Sequence, residues 1–201
     1  MSEFDVILFG ATGFTGQLAA AYIDEQYGNK VKWAIAGRSK ERLERVAGAC
    51  ASRPRVIIAD SGDRSSLEQM VAQTRCVVSF AGPFARYGSL LVAVCASAGC
   101  DYCDITGEIA WVRKLIEDHD DTARASGARI VNLCGHDSVP WDLTTMVLAR
   151  ELRKAGETVA SLDFWDEIRS APSGGTIETS MDFIQAPRAK KSSLGLSLIH
   201  I

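Results

Sequence analysis

Three glycines, at positions 10, 13 and 16 of the run Gly10-Ala11-Thr12-Gly13-Phe14-Thr15-Gly16, are the first residues whose type and spacing could do chemistry. Each has a separate physical job if a phosphate-bearing ligand lies there. Gly10 permits a sharp exit from the apolar run Val6 to Phe9, and Gly13 removes a side chain where a pyrophosphate must approach the backbone. Gly16 lets a following helix pack close to a sheet. The free N–H groups at that helix start, with the positive end of its dipole, would then hold the phosphates. The plainer alternative is a glycine-rich turn that merely joins strand to helix.

The next informative residues are Ala36-Gly37-Arg38, with Lys40 and Arg42 just beyond. A site for NAD usually places a carboxylate here to accept hydrogen bonds from the ribose 2′-hydroxyl. Arg38 instead suits paired, charge-assisted hydrogen bonds to a 2′-phosphate, and Gly37 leaves it room. The expected cofactor is therefore NADP. The plainer reading of these cations is a solvated helix start, where they oppose the dipole. Asp60 is placed either to contact the adenine amino group or to cap a helix. Ala81-Gly82-Pro83, with Phe84, follows another apolar run and is expected to line the nicotinamide ribose, and Arg86 and Tyr87 come next as site or surface-turn residues.

Catalytic residues are not assigned. Asp104 and Glu108 are expected to bring two carboxylates to the cleft, one of them able to position substrate or relay a proton, with helix capping the alternative for Glu108. His136 and Asp137 raise the same question, although a single histidine beside a Gly-Pro turn is more often structural. Six cysteines include the pair Cys100-x-x-Cys103. It leads into a strand-like run instead of opening a helix, no second pair stands at similar spacing, and His119 and His136 are distant. Buried reduced thiols are expected, and no metal.

The elements that must position these residues alternate. Strand-like apolar runs at Val6–Phe9, 31–36, 56–59, 76–80, 101–105 and 129–133 are separated by helical patterns, with Ser39 as an N-cap and Gly99 and Gly127 as helix ends. Such alternation implies parallel βαβ units and a doubly wound α/β sheet of order 3-2-1-4-5-6. Further helices are expected at 141–154 and 177–184. The alternation from Val159 to Ile168 suggests a half-exposed strand of a different sheet.

The chain has 201 residues, 47% hydrophobic and 23% charged, with a net charge of −3. That balance fits a globular protein and gives no argument for nucleic acid as partner. No apolar run approaches the roughly 18 residues of a membrane span, and no signal peptide is legible, so a cytoplasmic protein acting on a small molecule is expected.

With these segments in place, the chain resembles the saccharopine dehydrogenase-like oxidoreductases, including the trans-acting enoyl reductases. The resemblance is carried by Gly10 to Gly16, Ala36-Gly37-Arg38, Ala81-Gly82-Pro83-Phe84, Tyr102-x-Asp104-Ile-Thr-Gly-Glu108, the 135–140 run Gly-His-Asp-Ser-Val-Pro and the 173–176 run Ser-Gly-Gly-Thr. It implies an N-terminal NADP-binding Rossmann domain followed by an α/β domain that shapes the substrate site and often the contact between copies in a homo-oligomer. His136 departs from the phenylalanine that many relatives carry. On this reading residues 1–155 form the Rossmann domain and 156–195 begin a truncated second domain. Residues 196–201 match one reading frame of a sequencing adapter, so the natural chain is expected to continue past about Ser193. This fragment is then not expected to turn over substrate.

The implied activity is hydride transfer between nicotinamide and a small or lipid-like substrate. An NADP-binding redox sensor without turnover is the alternative. A short-chain reductase of the tyrosine–lysine type is disfavoured, because none of Tyr22, Tyr27, Tyr87 or Tyr102 has lysine four residues on.

Overall fold

The computed structural model describes residues 2–136, 138–165, 167, 171 and 174–185. Asp137, Ser173, the end of the 159–168 segment and the 196–201 tail lie outside the described residues. Six strands, β1 (Phe4–Phe9), β2 (Trp33–Gly37), β3 (Arg55–Ile58), β4 (Thr74–Ser79), β5 (Asp101–Asp104) and β6 (Ile130–Val131), form one sheet. Its order is β3-β2-β1-β4-β5-β6 and every pairing is parallel. The reversal lies between β1 and β4, which pair from Phe4 with Thr74 to Phe9 with Ser79. In such a sheet this crevice, beyond the carboxyl ends, is where ligands lie.

Strand alternation divides the core into two layers. Leu8 and Ile35 face the helices α1 (Phe14–Gln26) and α2 (Lys40–Ala49), packing on Ala20, Leu43 and Ala47. Ile7, Phe9, Val77 and Tyr102 face the other side. There they meet α3 (Arg64–Val71), α5 (Ser89–Ala98) and α6 (Ile109–Ser126) through Leu67, Met70, Leu91, Trp111 and Leu115. Each fully buried aliphatic side chain contributes about 1.5–3 kcal/mol. Gly99 and Gly127 end α5 and α6 in the left-handed conformation, as expected.

Several local expectations are corrected. The helical pattern after Thr15 runs through Leu18, Ala19, Tyr22 and Ile23. The packed face of α1 is nevertheless made by Gly16 and Ala20, while Leu18 and Tyr22 are exposed, because small residues let the helix sit close to the sheet. A short helix α4 (Phe84–Tyr87) stands where only a loop was expected. β6 is two residues long, since Leu133 adopts φ 62° and cannot continue a ladder. Residues 159–165 carry no strand, because alternation alone does not make one and no neighbouring strand pairs with them. Helix α7 (Val139–Lys154) comes after the sheet with no buried residue, and α8 (Gly174–Gln185) covers the helix expected near 177–184.

The cysteines remain free, and among the described residues no cluster could hold a metal. Cys100 is buried in the same layer as Tyr102. Cys103, three positions on, points to the opposite face, so the C-x-x-C spacing brings no two thiols together across it.

Candidate functional site

The glycine loop leaves β1 at the reversal of strand order. Gly10 has φ 82°, donates to the Ala36 carbonyl at 2.9 Å, and approaches β4 so closely that a β-carbon on it would lie 2.8 Å from the Ala81 nitrogen. A β-carbon on Gly16 would strike the Gly10 carbonyl and sit 2.7 Å from the Ala11 Cα. The fold itself requires both glycines.

Gly13 differs. A β-carbon there would meet only the Gly10 carbonyl oxygen, at an ordinary 3.5 Å. Its φ of −76° suits any residue, and it is exposed. The protein makes no use of the missing side chain, so the space it leaves is open to something outside the chain. Gly13 is also the N-cap of α1, and no side chain caps that helix. Its first N–H groups therefore have no side-chain acceptor from a cap, the arrangement that suits an anion.

A groove of about 190 Å³ runs over the carboxyl ends of the strands, walled by Gly10, Thr12, Gly13, Arg38, Ala81 and Gly82. Gly37, Ser61, Phe80 and Tyr87 complete it. The structure thus brings the glycine loop, the end of β2 and the end of β4 to one cleft. Ala11 is buried beneath the loop, Thr15 is half-buried, and Phe14 is 70% exposed. Pro83 is buried behind Gly82. Arg38 is exposed and makes no ion pair or side-chain hydrogen bond among the described residues.

The helix-capping alternative for Asp60 is overturned. Asp63 caps α3, accepting from Ser65 and Ser66 N–H at 3.1 and 3.3 Å. Asp60 turns its carboxylate back to accept from the Gly62 N–H at 2.8 Å. The residue after β3 that reaches the groove wall is Ser61, which sequence reasoning missed. The position, just beyond a strand end, was the available signal.

The two carboxylates expected at the cleft do other work. Asp104 is wholly buried. It accepts from the Tyr102 hydroxyl at 2.9 Å, Thr106 N–H at 3.0 Å, Asn132 Nδ2 at 2.6 Å and Leu133 N–H at 3.3 Å. Burial pushes its carboxyl above the ordinary range, and these donors oppose the shift. Burial, with Asp104 beside it, pushes the Tyr102 hydroxyl well up. Glu108 makes no side-chain cap on its own helix. Its two oxygens instead accept from Phe84 and Ala85 N–H at 2.7 and 3.0 Å, fastening the start of α4. The Glu108 N–H in turn donates to Thr106 Oγ1 at 3.0 Å. A series of hydrogen bonds thus runs from Asn132 through Asp104, Thr106 and Glu108 to Phe84 and Ala85, directly after the turn at Gly82-Pro83.

His136 is exposed and stands 6.3 Å, ring to ring, from Trp141, away from the groove wall. Arg86 pairs with Glu178 of α8 at 3.1 Å, whereas Tyr87, the next residue but of opposite orientation, reaches the groove. No helix among the described residues is long and apolar enough to cross a membrane.

Comparison with known proteins agrees with this geometry. Residues 6–131 match the family model described as the saccharopine dehydrogenase NADP binding domain. A Mycobacterium tuberculosis protein provisionally named a trans-acting enoyl reductase is 40% identical over 187 residues, covering 90% of this chain and 44% of its own. A trans-acting enoyl reductase of Mycobacterium leprae is 44% identical over 153 residues, covering 75% of this chain and 36% of its own. The chain therefore spans less than half the length of these curated relatives. Among solved structures, apo saccharopine dehydrogenase (L-Glu forming) of Saccharomyces cerevisiae superposes with a TM-score of 0.63 at 20% identity, over 76% of this chain and 32% of that one. That likeness concerns the fold.

Proposed function

From the premise that the chain belongs to the saccharopine dehydrogenase NADP-binding domain family, we propose that it holds NADP and serves as the cofactor half of an NADP-dependent oxidoreductase. The observation that carries the reading is the loop at Gly13, where the fold leaves out a side chain that it has room for, directly before an uncapped helix start. The first N–H groups of α1 would hold the pyrophosphate there. Arg38 faces the 2′-phosphate, and its planar guanidinium suits a phosphate with two parallel hydrogen bonds. Ala81 and Gly82 would line the ribose on the nicotinamide side, Pro83 would fix their turn from behind, and Asp60 would border the adenine end beside Ser61. The bound cofactor supplies hydride, or accepts it. What the chain's own residues do is bind, orient and shield.

The relatives' names support reduction of an activated carbon–carbon double bond as the reaction of the whole protein. We infer a small or lipid-like substrate, and a homo-oligomer that acts in the cytoplasm. Residues 156–195 would open the domain that receives that substrate. Isothermal titration with NADPH and NADH tests the cofactor reading. NADPH should bind more tightly, and Arg38→Ala should weaken NADPH by about tenfold while leaving NADH nearly unchanged. Equal loss for both nucleotides would refute the 2′-phosphate role. Full-length protein that binds NADPH yet consumes none with any enoyl or carbonyl substrate would instead favour a sensor.

A further inference from the structure

Helix α4 is a single turn that starts directly after Gly82 and Pro83, and its four side chains differ in what they meet. Phe84 is buried against Trp111, with ring centroids 6.0 Å apart, Ala85 is exposed, and Arg86 pairs with Glu178. Of the four, Tyr87 is the one that enters the groove wall, together with Ala81 and Gly82. It is half-buried, and its hydroxyl makes no hydrogen bond among the described residues. A tyrosine hydroxyl in such a place ordinarily has a partner, so this one is left to a ligand.

The turn that carries Tyr87 is held at both ends. At its start, Glu108 accepts from Phe84 and Ala85 N–H. At its end, the Gly88 N–H donates to the Phe84 carbonyl at 2.7 Å, and a β-carbon on Gly88 would lie 2.6 Å from the Trp111 ring. That ring is itself fixed, since Trp111 Nε1 donates to Ser89 Oγ at 2.8 Å. One helical turn has little stability of its own, so these contacts are what keep Tyr87 in the wall. Its position selects the part of the ligand that it meets. The other side-chain hydroxyls of the groove stand elsewhere, Thr12 on the glycine loop and Ser61 after β3. Helix α4 follows β4, across the reversal of strand order from β2 and β3. With the phosphate-bearing ribose at Arg38, after β2, the β4 side receives the nicotinamide. The ring's carboxamide is the group there that can accept a hydrogen bond from a hydroxyl.

We propose that Tyr87 recognises the nicotinamide carboxamide, its hydroxyl donating to the carboxamide oxygen, with α4 as the mount that fixes it there. The ligand group is a primary amide on an aromatic ring. This deepens, and rests on, the NADP reading above. It makes the seating of the redox end of the cofactor a property of one side chain on a one-turn helix, while Arg86 beside it faces α8.

Titration of the chain with NADPH and with 2′,5′-ADP, which lacks the nicotinamide, tests it in wild type, Tyr87→Phe, Tyr87→Ala and Arg86→Ala. Tyr87→Phe should weaken NADPH by about fivefold and leave 2′,5′-ADP within about twofold. Tyr87→Ala should weaken NADPH at least as much and again spare 2′,5′-ADP. Arg86→Ala should leave both ligands within about twofold. Tyr87→Phe removes a hydroxyl that has no internal partner, so its melting temperature should match wild type; a lowered one would reveal such a partner and overturn the contact. No change in Tyr87→Phe, or equal weakening of both ligands, overturns the contact while leaving the NADP reading intact. An Arg86→Ala protein that loses NADPH as Tyr87→Phe does assigns the effect to the seating of α4 and overturns it too. Wild-type protein that binds neither ligand sinks the NADP reading and the contact together.

Discussion

At the scale of single residues, the glycine loop separates demands of folding from demands of binding. Gly16→Ala pushes a β-carbon against the Gly10 carbonyl and the Ala11 backbone, neither of which is a flexible side chain. It should cost about 3 kcal/mol of stability, read as a lowered urea midpoint. Gly13→Ala meets only an ordinary contact, so stability should fall by no more than about 1 kcal/mol, the difference between glycine and alanine at an N-cap. Its NADPH affinity should nevertheless drop at least about tenfold. A Gly13→Ala protein that is badly destabilised, or one that binds as wild type does, would contradict this division of labour. The structural demands on Gly10 and Gly16 were legible in the sequence because loop, strand and helix are contiguous. The role of Glu108 was not, since the N–H groups it serves belong to residues 23 and 24 positions earlier, and no spacing rule points there. Asp104 misled for a related reason. A carboxylate at a strand end suggests a cleft, but Tyr102, Thr106, Asn132 and Leu133 surround this one with donors.

At the scale of elements, the short edge strand β6 is held largely by side chains. The Arg129 guanidinium pairs with the Asp101 carboxylate, and the Arg129 N–H donates to the same carboxylate at 3.0 Å. The side-chain bond from Arg129 is the main reason that the Asp101 carboxyl lies below its ordinary 3.8. A carboxyl depressed in the folded state contributes stability that is present above the unfolded pKa and lost as pH falls through the folded one. Arg129→Ala should therefore melt below wild type at neutral pH, and the two melting curves should converge as pH falls below the ordinary carboxyl range. A gap that stays constant below that range would mean that packing, and not the ion pair, holds the strand. The sequence showed a longer sixth strand, from 129 to 133, because its apolar pattern runs on. Pattern alone does not reveal that Leu133 turns to positive φ while its N–H goes to Asp104.

At the scale of the molecule, the six-stranded order was readable from alternation, since right-handed crossovers leave few ways to wind parallel strands. The segment beyond the sheet was less readable. Helix α7 has no buried residue, and Leu143 and Met146 are 52% and 56% exposed, although their helical spacing suggests a packed face. Periodicity reports that a face is apolar, not what covers it. Opening free energies should track burial, so amides of β1 and β4 should exchange only on global unfolding. Those of α7 and α8 should exchange orders of magnitude faster in hydrogen-exchange mass spectrometry. Equal protection of α7 and β1 would show that α7 is part of the same cooperative unit.

The hydrogen bonds from Asn132 to Asp104, Thr106, Glu108 and the start of α4 act mechanically as a linkage. They couple the ends of three adjacent strands crosswise to the chain, beyond the last rungs of the sheet's own ladders. A displacement of the segment leaving β6 is therefore expected to reach the start of α4, next to the Gly82-Pro83 turn, through these bonds. Movement just beyond residue 132 should thus be felt at the groove wall that Gly82 forms.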